Sequence, residues 1–181
     1  MEILRIIRVS TIAMLIIVVV QGGASIDLQK QKPINSKAMP EVGGEIIEGL
    51  QLSARLDKAT FRRDEPVLLK LSIKNTTTKP LFLRASYSQK DYQVFVKNEN
   101  GKSPALTELG EHLKRNSIIA SPESKVNLDP GQESEDQTNV SELYDLTAPS
   151  TYYITAKRVV PKMSGSGAVE IASNTVKVTI M

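Results

Sequence analysis

The chain has 181 residues, no cysteine and no tryptophan, 4% aromatic residues and a formal net charge of +3. Without cysteine, neither a disulfide framework nor a cysteine-ligated zinc site can form. The charge is nearly balanced and no basic stripe with interleaved aromatics is present, which argues against nucleic acid as a partner. The length is enough for one domain of ordinary size after an N-terminal targeting segment.

Residues 1–24 have the pattern of a secretory signal peptide. Arg5 and Arg8 precede an apolar run from Thr11 to Val20, and small residues follow it. This run is shorter than the roughly 18 to 20 apolar residues of a membrane span. We therefore predict cleavage after Ala24 and a secreted or periplasmic protein, with an uncleaved single-pass anchor, the domain outside the cytoplasm, as the alternative. Removing the signal leaves 21 basic and 19 acidic residues.

Residues 25–48 are predicted to be a flexible linker. They contain Pro33, Pro40 and the pair Gly43-Gly44, and their apolar residues follow neither the period of a strand nor that of a helix. The predicted domain therefore occupies residues 49–181.

Strands dominate the predicted domain. In "LQLSARLD", Leu50, Leu52, Ala54 and Leu56 alternate with polar residues, which predicts a half-buried strand, and "VLLKLSIKN" repeats the arrangement. Turn residues separate the segments, with no room for helical crossovers. The further predicted strands are "LFLRAS", "DYQVFVKN", "SKVNL", "ESEDQTNV", "TYYITAKRVV" and "NTVKVTI".

One segment changes period. Leu106, Leu109 and Leu113 are three and four residues apart, and Thr107 is placed to cap a short helix. A second helical turn is predicted at residues 141–145. Short strands with one helical insertion predict an all-β, antiparallel two-sheet sandwich.

The stretches "DEPVLLKLSIKNTTTKPLFL", "LDPGQES", "YDLTAPSTYYITAKR" and "SNTVKVTI" resemble bacterial immunoglobulin-like domains of exported proteins. The resemblance covers residues 49–181 and implies an immunoglobulin-like sandwich, a fold that hosts adhesion, assembly and accessory roles. The stretch "NTTTKPLFLRASYSQKDYQVFVKNENG" is also similar in layout to the bacterial intracellular proteinase inhibitor domain family. That family is not exported, and its tryptophan-containing stretch has no counterpart here.

Two adjacent tyrosines open the strand "TYYITAKRVV". Alternation places Tyr152 on the buried face with Ile154 and Ala156, and Tyr153 on the opposite face. In sandwiches of the kind this chain resembles, a tyrosine at this place hydrogen-bonds the backbone a few residues upstream. The resemblance therefore implies that Tyr152 is a structural clamp, with its acceptor between Leu146 and Pro149.

The sequence predicts no enzyme, cofactor or metal site. His112 is the single histidine, and a nucleophile elbow is missing because Ser164 stands where Ser166 would need a glycine. The acids Asp129, Glu133, Glu135 and Asp136 match no calcium loop, so we interpret them as a solvated face.

The function predicted is that of an exported, non-catalytic interaction or accessory domain that binds a protein or cell-envelope partner. The alternative is a peptidase inhibitor that inserts an exposed loop. A carbohydrate-binding module is disfavoured because aromatic residues are few. Loops at the ends of strands commonly carry binding, so the candidate partner-binding residues are Asn98, Glu99, Asn100, Gly101, Ser164, Gly165, Ser166 and Gly167.

Overall fold

A computed structural model describes residues 43–86, 88–115, 124–163 and 165–181, so the predicted signal peptide, most of the predicted linker and Ser164 lie outside the described residues. The described chain is all-β, as predicted. Its strands are β1 (Ile46–Ile47), β2 (Leu50–Arg55), β3 (Thr60–Phe61), β4 (Leu68–Asn75), β5 (Leu81–Ala85), β6 (Gln93–Asn98), β7 (Ser124–Leu128), β8 (Glu133–Asn139), β9 (Ser150–Pro161), β10 (Ala168–Ala172) and β11 (Val176–Ile180). Its helices are α1 (Ser88–Asp91) and α2 (Glu108–Arg115), with a 3-10 turn at Val140–Glu142.

Sheet A is antiparallel, with strand order β1-β2-β4-β8. Period-2 alternation in β2 and β4 sends one set of apolar side chains inward, as predicted, and Leu52 and Ile73 are paired and fully buried. Strand β1 lies inside the predicted linker, residues 25–48. It belongs to sheet A, because Ile46 pairs with Gln51 and the Gly44 N–H donates to Leu52 O at 2.8 Å. The prediction that the linker extends to residue 48 is therefore wrong at its C-terminal end.

Sheet B is organised around the 12-residue strand β9. One edge of β9 pairs with β6, and the other pairs first with β11 and then with β10, all antiparallel. Strand β3 adds to β11 in parallel. The residues predicted to face inward on β9, namely Tyr152, Ile154 and Ala156, are all buried.

Two small elements flank the main sheets. Strands β5 and β7 form a separate antiparallel pair. The helix α2 begins as predicted, since Thr107 Oγ1 accepts a hydrogen bond from the Gly110 N–H at 3.1 Å. The side chain of Leu109 is 40% exposed, whereas Gly110 is buried against the backbone of Leu143.

Apolar side chains from the inner faces of both sheets form one buried cluster. Its largest fully buried members include Leu50, Leu71, Val96, Ile154 and Ile171, which come from β2, β4, β6, β9 and β10. The strands β3 and β10 were not predicted because two residues, or five with weak alternation, give little periodic signal. In the described part of the chain, no helix is long and apolar enough to cross a membrane.

Candidate functional site

The outer face of sheet A pairs its own charges. Arg55 lies 2.6 Å from Glu135 and Lys74 lies 2.9 Å from Glu133, whose carboxylate also accepts a hydrogen bond from Ser72 Oγ at 2.7 Å. The hydrogen bond from Lys74, with that from Ser72, lowers the pKa of Glu133. This face therefore satisfies its charges internally, as a solvated surface does.

The outer face of sheet B is different. Tyr153 and Phe95 are 39% and 42% exposed, and Val159 is 60% exposed. Tyr153 is paired with Lys97 on β6 and with Lys177 on β11, so the three side chains form one row across the sheet. Neither lysine has an ion-pair or hydrogen-bond partner within the described residues. We call Lys97, Tyr153 and Lys177 the tyrosine row.

A second row lies beside the tyrosine row. Phe95 is paired with Thr155, whose hydroxyl is 2.9 Å from that of Thr175. Lys157 Nζ lies 5.4 Å from the centre of the Phe95 ring and 2.6 Å from Glu170. An ammonium group over an aromatic ring is attracted by the negative face of that ring. The Phe95 ring thus has a cation of its own sheet beside it, whereas no cation among the described residues lies over the Tyr153 ring.

The edge of β6 that does not pair with β9 is covered by the side chain of Tyr144. Tyr144 Oη donates to the backbone oxygen of Val94 at 2.7 Å. Burial raises the pKa of Tyr144, and a hydrogen bond with the Val96 backbone opposes this shift. Because Tyr144 uses the groups with which an added strand would pair, the outer face of sheet B is more accessible to a partner than this edge.

The predicted loop at residues 98–101 is a tight turn held by Asn98. Asn98 Oδ1 accepts hydrogen bonds from the N–H groups of Asn100 and Lys102, both at 3.0 Å, and the Gly101 N–H donates to Asn98 O at 2.9 Å. Gly101 has a positive φ of 75°, a conformation that glycine adopts without strain. Glu99 and Asn100 are exposed at its tip. This loop is therefore fixed in shape before any partner binds.

The other predicted loop lies at the opposite end of β9. Gly165, Ser166 and Gly167 are exposed and follow Pro161, whereas Asn98 pairs with Tyr152 near the start of the strand. Nine residues of strand separate the two loops, which is about 30 Å. The structure therefore does not bring the two candidate loops together into one surface.

Tyr152 forms the hydrogen bond expected from its position. Its side chain is buried, and its hydroxyl donates to Ala148 O at 2.9 Å, within the stretch from Leu146 to Pro149. Burial, with a smaller contribution from Asp145, raises the pKa of this phenol. The energetic role of Tyr152 as a clamp stays a prediction.

A buried ion pair lies at the base of a cavity of about 490 Å³ between β5 and β9. Arg158 is 6% exposed and lies 3.3 Å from Asp91, and it also donates to Tyr92 Oη at 2.8 Å and to Arg84 O at 2.5 Å. The guanidinium lies 4.9 Å from the centre of the Tyr92 ring. The guanidinium thus donates to a phenol, a backbone oxygen and a carboxylate of the same domain, which satisfies a buried charge, so we assign this pair to structure.

A second cavity, of about 750 Å³, lies between α2 and the edge of β6. Its lining is mixed, with Leu106, Leu113 and Tyr144 beside Glu111 and Lys114. His112 is exposed on the same helix. Within the described residues, no group of three or more histidine, cysteine or acidic side chains is placed to hold a metal ion.

The sequence reasoning missed the tyrosine row and the buried Arg158. Alternation along β6, β9 and β11 places Lys97, Tyr153 and Lys177 on outer faces, but nothing in one sequence tells which strands are neighbours. The burial of Arg158 could have been predicted, because the same alternation along β9 puts it inward with Ile154 and Ala156. A charge at an inward position requires a buried partner.

Comparisons with known proteins give no family. No family model and no curated protein matches the chain. Among solved structures, it is similar to a β-glucosidase from Erythrobacter marinus (13% identity, TM-score 0.38, covering 73% of this chain and 15% of that one). It is also similar to a β-glucosidase from Listeria innocua in complex with isofagomine (13%, 0.36, 72% and 16%) and a Bacteroides uniformis β-glucuronidase (10%, 0.31, 72% and 13%). The chain thus spans about one sixth or less of these enzymes, and similarity at this level supports no conclusion about its activity.

Proposed function

We propose that this chain is an exported, non-catalytic domain with an immunoglobulin-like sandwich, which binds a protein or cell-envelope partner through the outer face of sheet B. The tyrosine row carries this proposal. Sheet A pairs its surface charges, while sheet B presents an exposed aromatic ring between two lysines that have no partner in the described residues. Tyrosine is enriched at the centres of protein interfaces.

Strand order supports the immunoglobulin-like part of the proposal. The order β2-β4-β8 in one sheet and β6-β9-β11 in the other matches strands A-B-E and C-F-G of that fold. The bond from Tyr152 to Ala148 matches the tyrosine corner near the start of strand F. One feature departs from the pattern, because β7 pairs with β5 and not with β8, where strand D would lie.

Export rests on the N-terminal sequence. Two arginines followed by a short apolar run and small residues are typical of a signal peptide cleaved after Ala24. The intact mass of protein recovered outside the cytoplasm tests this. A mass equal to that of residues 25–181 supports export with cleavage. Recovery of the uncleaved chain, which still contains Met1, in membrane fractions supports the single-pass anchor.

Affinity capture from cell-envelope extract tests the binding face. Tyr153→Ala removes the ring at the centre of the row, and we expect it to reduce the captured partner at least about tenfold, as for the loss of an interface hot spot. Ser53→Ala, on the outer face of sheet A, is the control and should leave capture unchanged. Equal capture by wild type and Tyr153→Ala would refute the assignment of this face.

The preformed turn at residues 98–101 favours a second candidate, a peptidase inhibitor. An inhibitory loop gains affinity when it is rigid before binding, and Asn98 provides three of the hydrogen bonds that fix this one. Titration of the full chain against a panel of peptidases tests it. Inhibition that Asn98→Ala weakens and Tyr153→Ala leaves intact would favour the inhibitor over the binding face.

A further inference from the structure

The charges on the outer face of sheet B have one dominant sign. Alternation and strand pairing direct Lys97, Lys157, Lys177 and Glu170 outward, which gives that face a net charge of +2 from three lysines and one glutamate. Lys157 and Glu170 neutralise each other at 2.6 Å. The uncompensated charge therefore resides on the two lysines of the tyrosine row.

The row has a defined geometry. Strands in a sheet lie about 4.8 Å apart, so the backbones of Lys97 and Lys177 are about 10 Å apart with Tyr153 midway between them. Both lysine side chains are exposed. A partner that covers Tyr153 is thus flanked by two positive charges, one on each side.

We infer that the partner bound at this face is an acidic protein surface that packs on Tyr153 and places carboxylates beside Lys97 and Lys177; this inference rests on the proposed function. Complementary charges around an aromatic centre speed association and exclude partners of the wrong sign. The lysines are compact point charges, suited to single carboxylates on either side of the ring.

The face favours a protein over a sugar or a lipid surface. A sugar platform needs open aromatic rings, but the ammonium of Lys157 lies 5.4 Å from the Phe95 ring centre, which leaves Tyr153 as the open ring of this pair. Membrane insertion needs a broad apolar surface, whereas Thr151, Thr155 and Thr179 surround Tyr153.

The face can supply the centre of a protein interface. The strands β3, β6, β9, β10 and β11 have 2, 6, 12, 5 and 5 residues, and each residue occupies about 3.3 Å along its strand and about 4.8 Å across the sheet, so the face measures roughly 480 Å². A standard interface covers about 800 Å² on each partner, so a partner of that size also contacts the loops around the face. Neither Tyr153 nor the two lysines line either of the cavities described above, so the row is a flat surface of the kind that proteins bind.

Photo-crosslinking in the host cell tests the inference. The full chain carries a photoreactive phenylalanine analogue in place of Thr151, which neighbours Tyr153 on the outer face. The same analogue in place of Ser53 on sheet A is the positional control. Each is combined with Lys97→Glu and Lys177→Glu, or with Lys97→Arg and Lys177→Arg, which keep the positive charges. Urea midpoints equal to that of the parent confirm that the variants fold.

We expect a protein adduct at position 151 and none at position 53, and the crosslinked partner segment should carry an excess of aspartate and glutamate. The double glutamate variant should reduce adduct yield about tenfold, while the double arginine variant should stay within about twofold of wild type. If the double glutamate variant gives the same adduct yield as wild type, or if the crosslinked segment is neutral or basic, then the inference of an acidic partner is refuted but the binding face is supported. An adduct with glycan or lipid overturns the acidic protein partner. No adduct at position 151 in any variant refutes the binding face as well.

Discussion

Asn174 and Ala54 form a reciprocal pair of hydrogen bonds that joins the two sheets. The Ala54 N–H donates to Asn174 Oδ1 at 2.8 Å, and Asn174 Nδ2 donates to Ala54 O at 3.0 Å. Asn174 lies in the break between β10 and β11, while Ala54 lies on β2 beyond the end of β1. The side-chain amide therefore takes the place that a neighbouring strand would occupy and closes this edge of sheet A.

Replacing Asn174 by Ala should destabilise the domain. It leaves both backbone groups of the buried Ala54 without their partner, and each unsatisfied group costs about 1 to 3 kcal/mol, so we expect a loss of about 2 to 6 kcal/mol. Urea unfolding measures the change. Asn100→Ala, at the exposed tip of the turn at residues 98–101, should stay within about 0.5 kcal/mol of wild type. Equal unfolding midpoints for Asn174→Ala and wild type would show that water replaces the amide.

Loss of Asp91 should destabilise the domain because it leaves the buried charge of Arg158 without its carboxylate partner. Removing one partner of a buried pair costs about 3 kcal/mol or more, since the remaining charge is left uncompensated. We therefore expect Asp91→Ala to lower the free energy of unfolding by about 3 kcal/mol. The matched control is Glu135→Ala, which breaks the exposed pair with Arg55 and should cost less than about 1 kcal/mol. Similar losses in the two variants would mean that Arg158 is solvated when Asp91 is absent.

Gly110 should not tolerate alanine, although helix propensity favours alanine over glycine by about 1 kcal/mol. A Cβ atom at this position would lie 2.2 Å from the backbone oxygen of Leu143, which cannot move aside as a side chain can. We expect Gly110→Ala to destabilise the domain by about 1 to 3 kcal/mol. Gly165→Ala is the control, because a Cβ there meets no atom within 4 Å. A more stable Gly110→Ala protein would indicate that α2 does not pack this closely.

The sequence predicted the parts of this fold that depend on one strand at a time. Alternation identified the inward faces of β2, β4, β6 and β9, because a strand with one buried side must place apolar residues at every second position. Boundaries were also close, as for β8, predicted at residues 133–140 and observed at Glu133–Asn139.

Features that depend on two strands were not predictable. The tyrosine row exists because β9 lies between β6 and β11 in one particular register, and each of its members alone is an ordinary surface residue. Asn174 was likewise predicted only as the first residue of the strand "NTVKVTI", since its partner Ala54 is 120 positions away. The predicted loops fell at turns, but only the pairing along β9 shows that they lie at opposite ends.

Alkaline pH should destabilise the domain through its buried phenols. Burial is the main cause that raises the pKa of Tyr92, Tyr144 and Tyr152 above the usual value of 10. The unfolded chain releases these protons at about pH 10 while the folded chain retains them, so stability falls as the pH rises above about 10. The ultraviolet absorbance of phenolate should therefore rise at a higher pH in the folded chain than in the urea-unfolded chain. Coincident curves would contradict the burial of these hydroxyls.

Tyr152 and Tyr153 provide a matched pair that tests the clamp. Tyr152→Phe keeps the ring but removes the donor to Ala148 O, and a lost buried hydrogen bond should cost roughly 1 to 3 kcal/mol. Tyr153→Phe should cost little, because its hydroxyl points away from the core and reaches water. If denaturant midpoints show Tyr153→Phe to be the damaging change, the register of β9 is shifted by one residue and its inward face is wrong. If both variants are as stable as wild type and both fail to capture a partner, then the pair acts in recognition and Tyr152 is not a clamp.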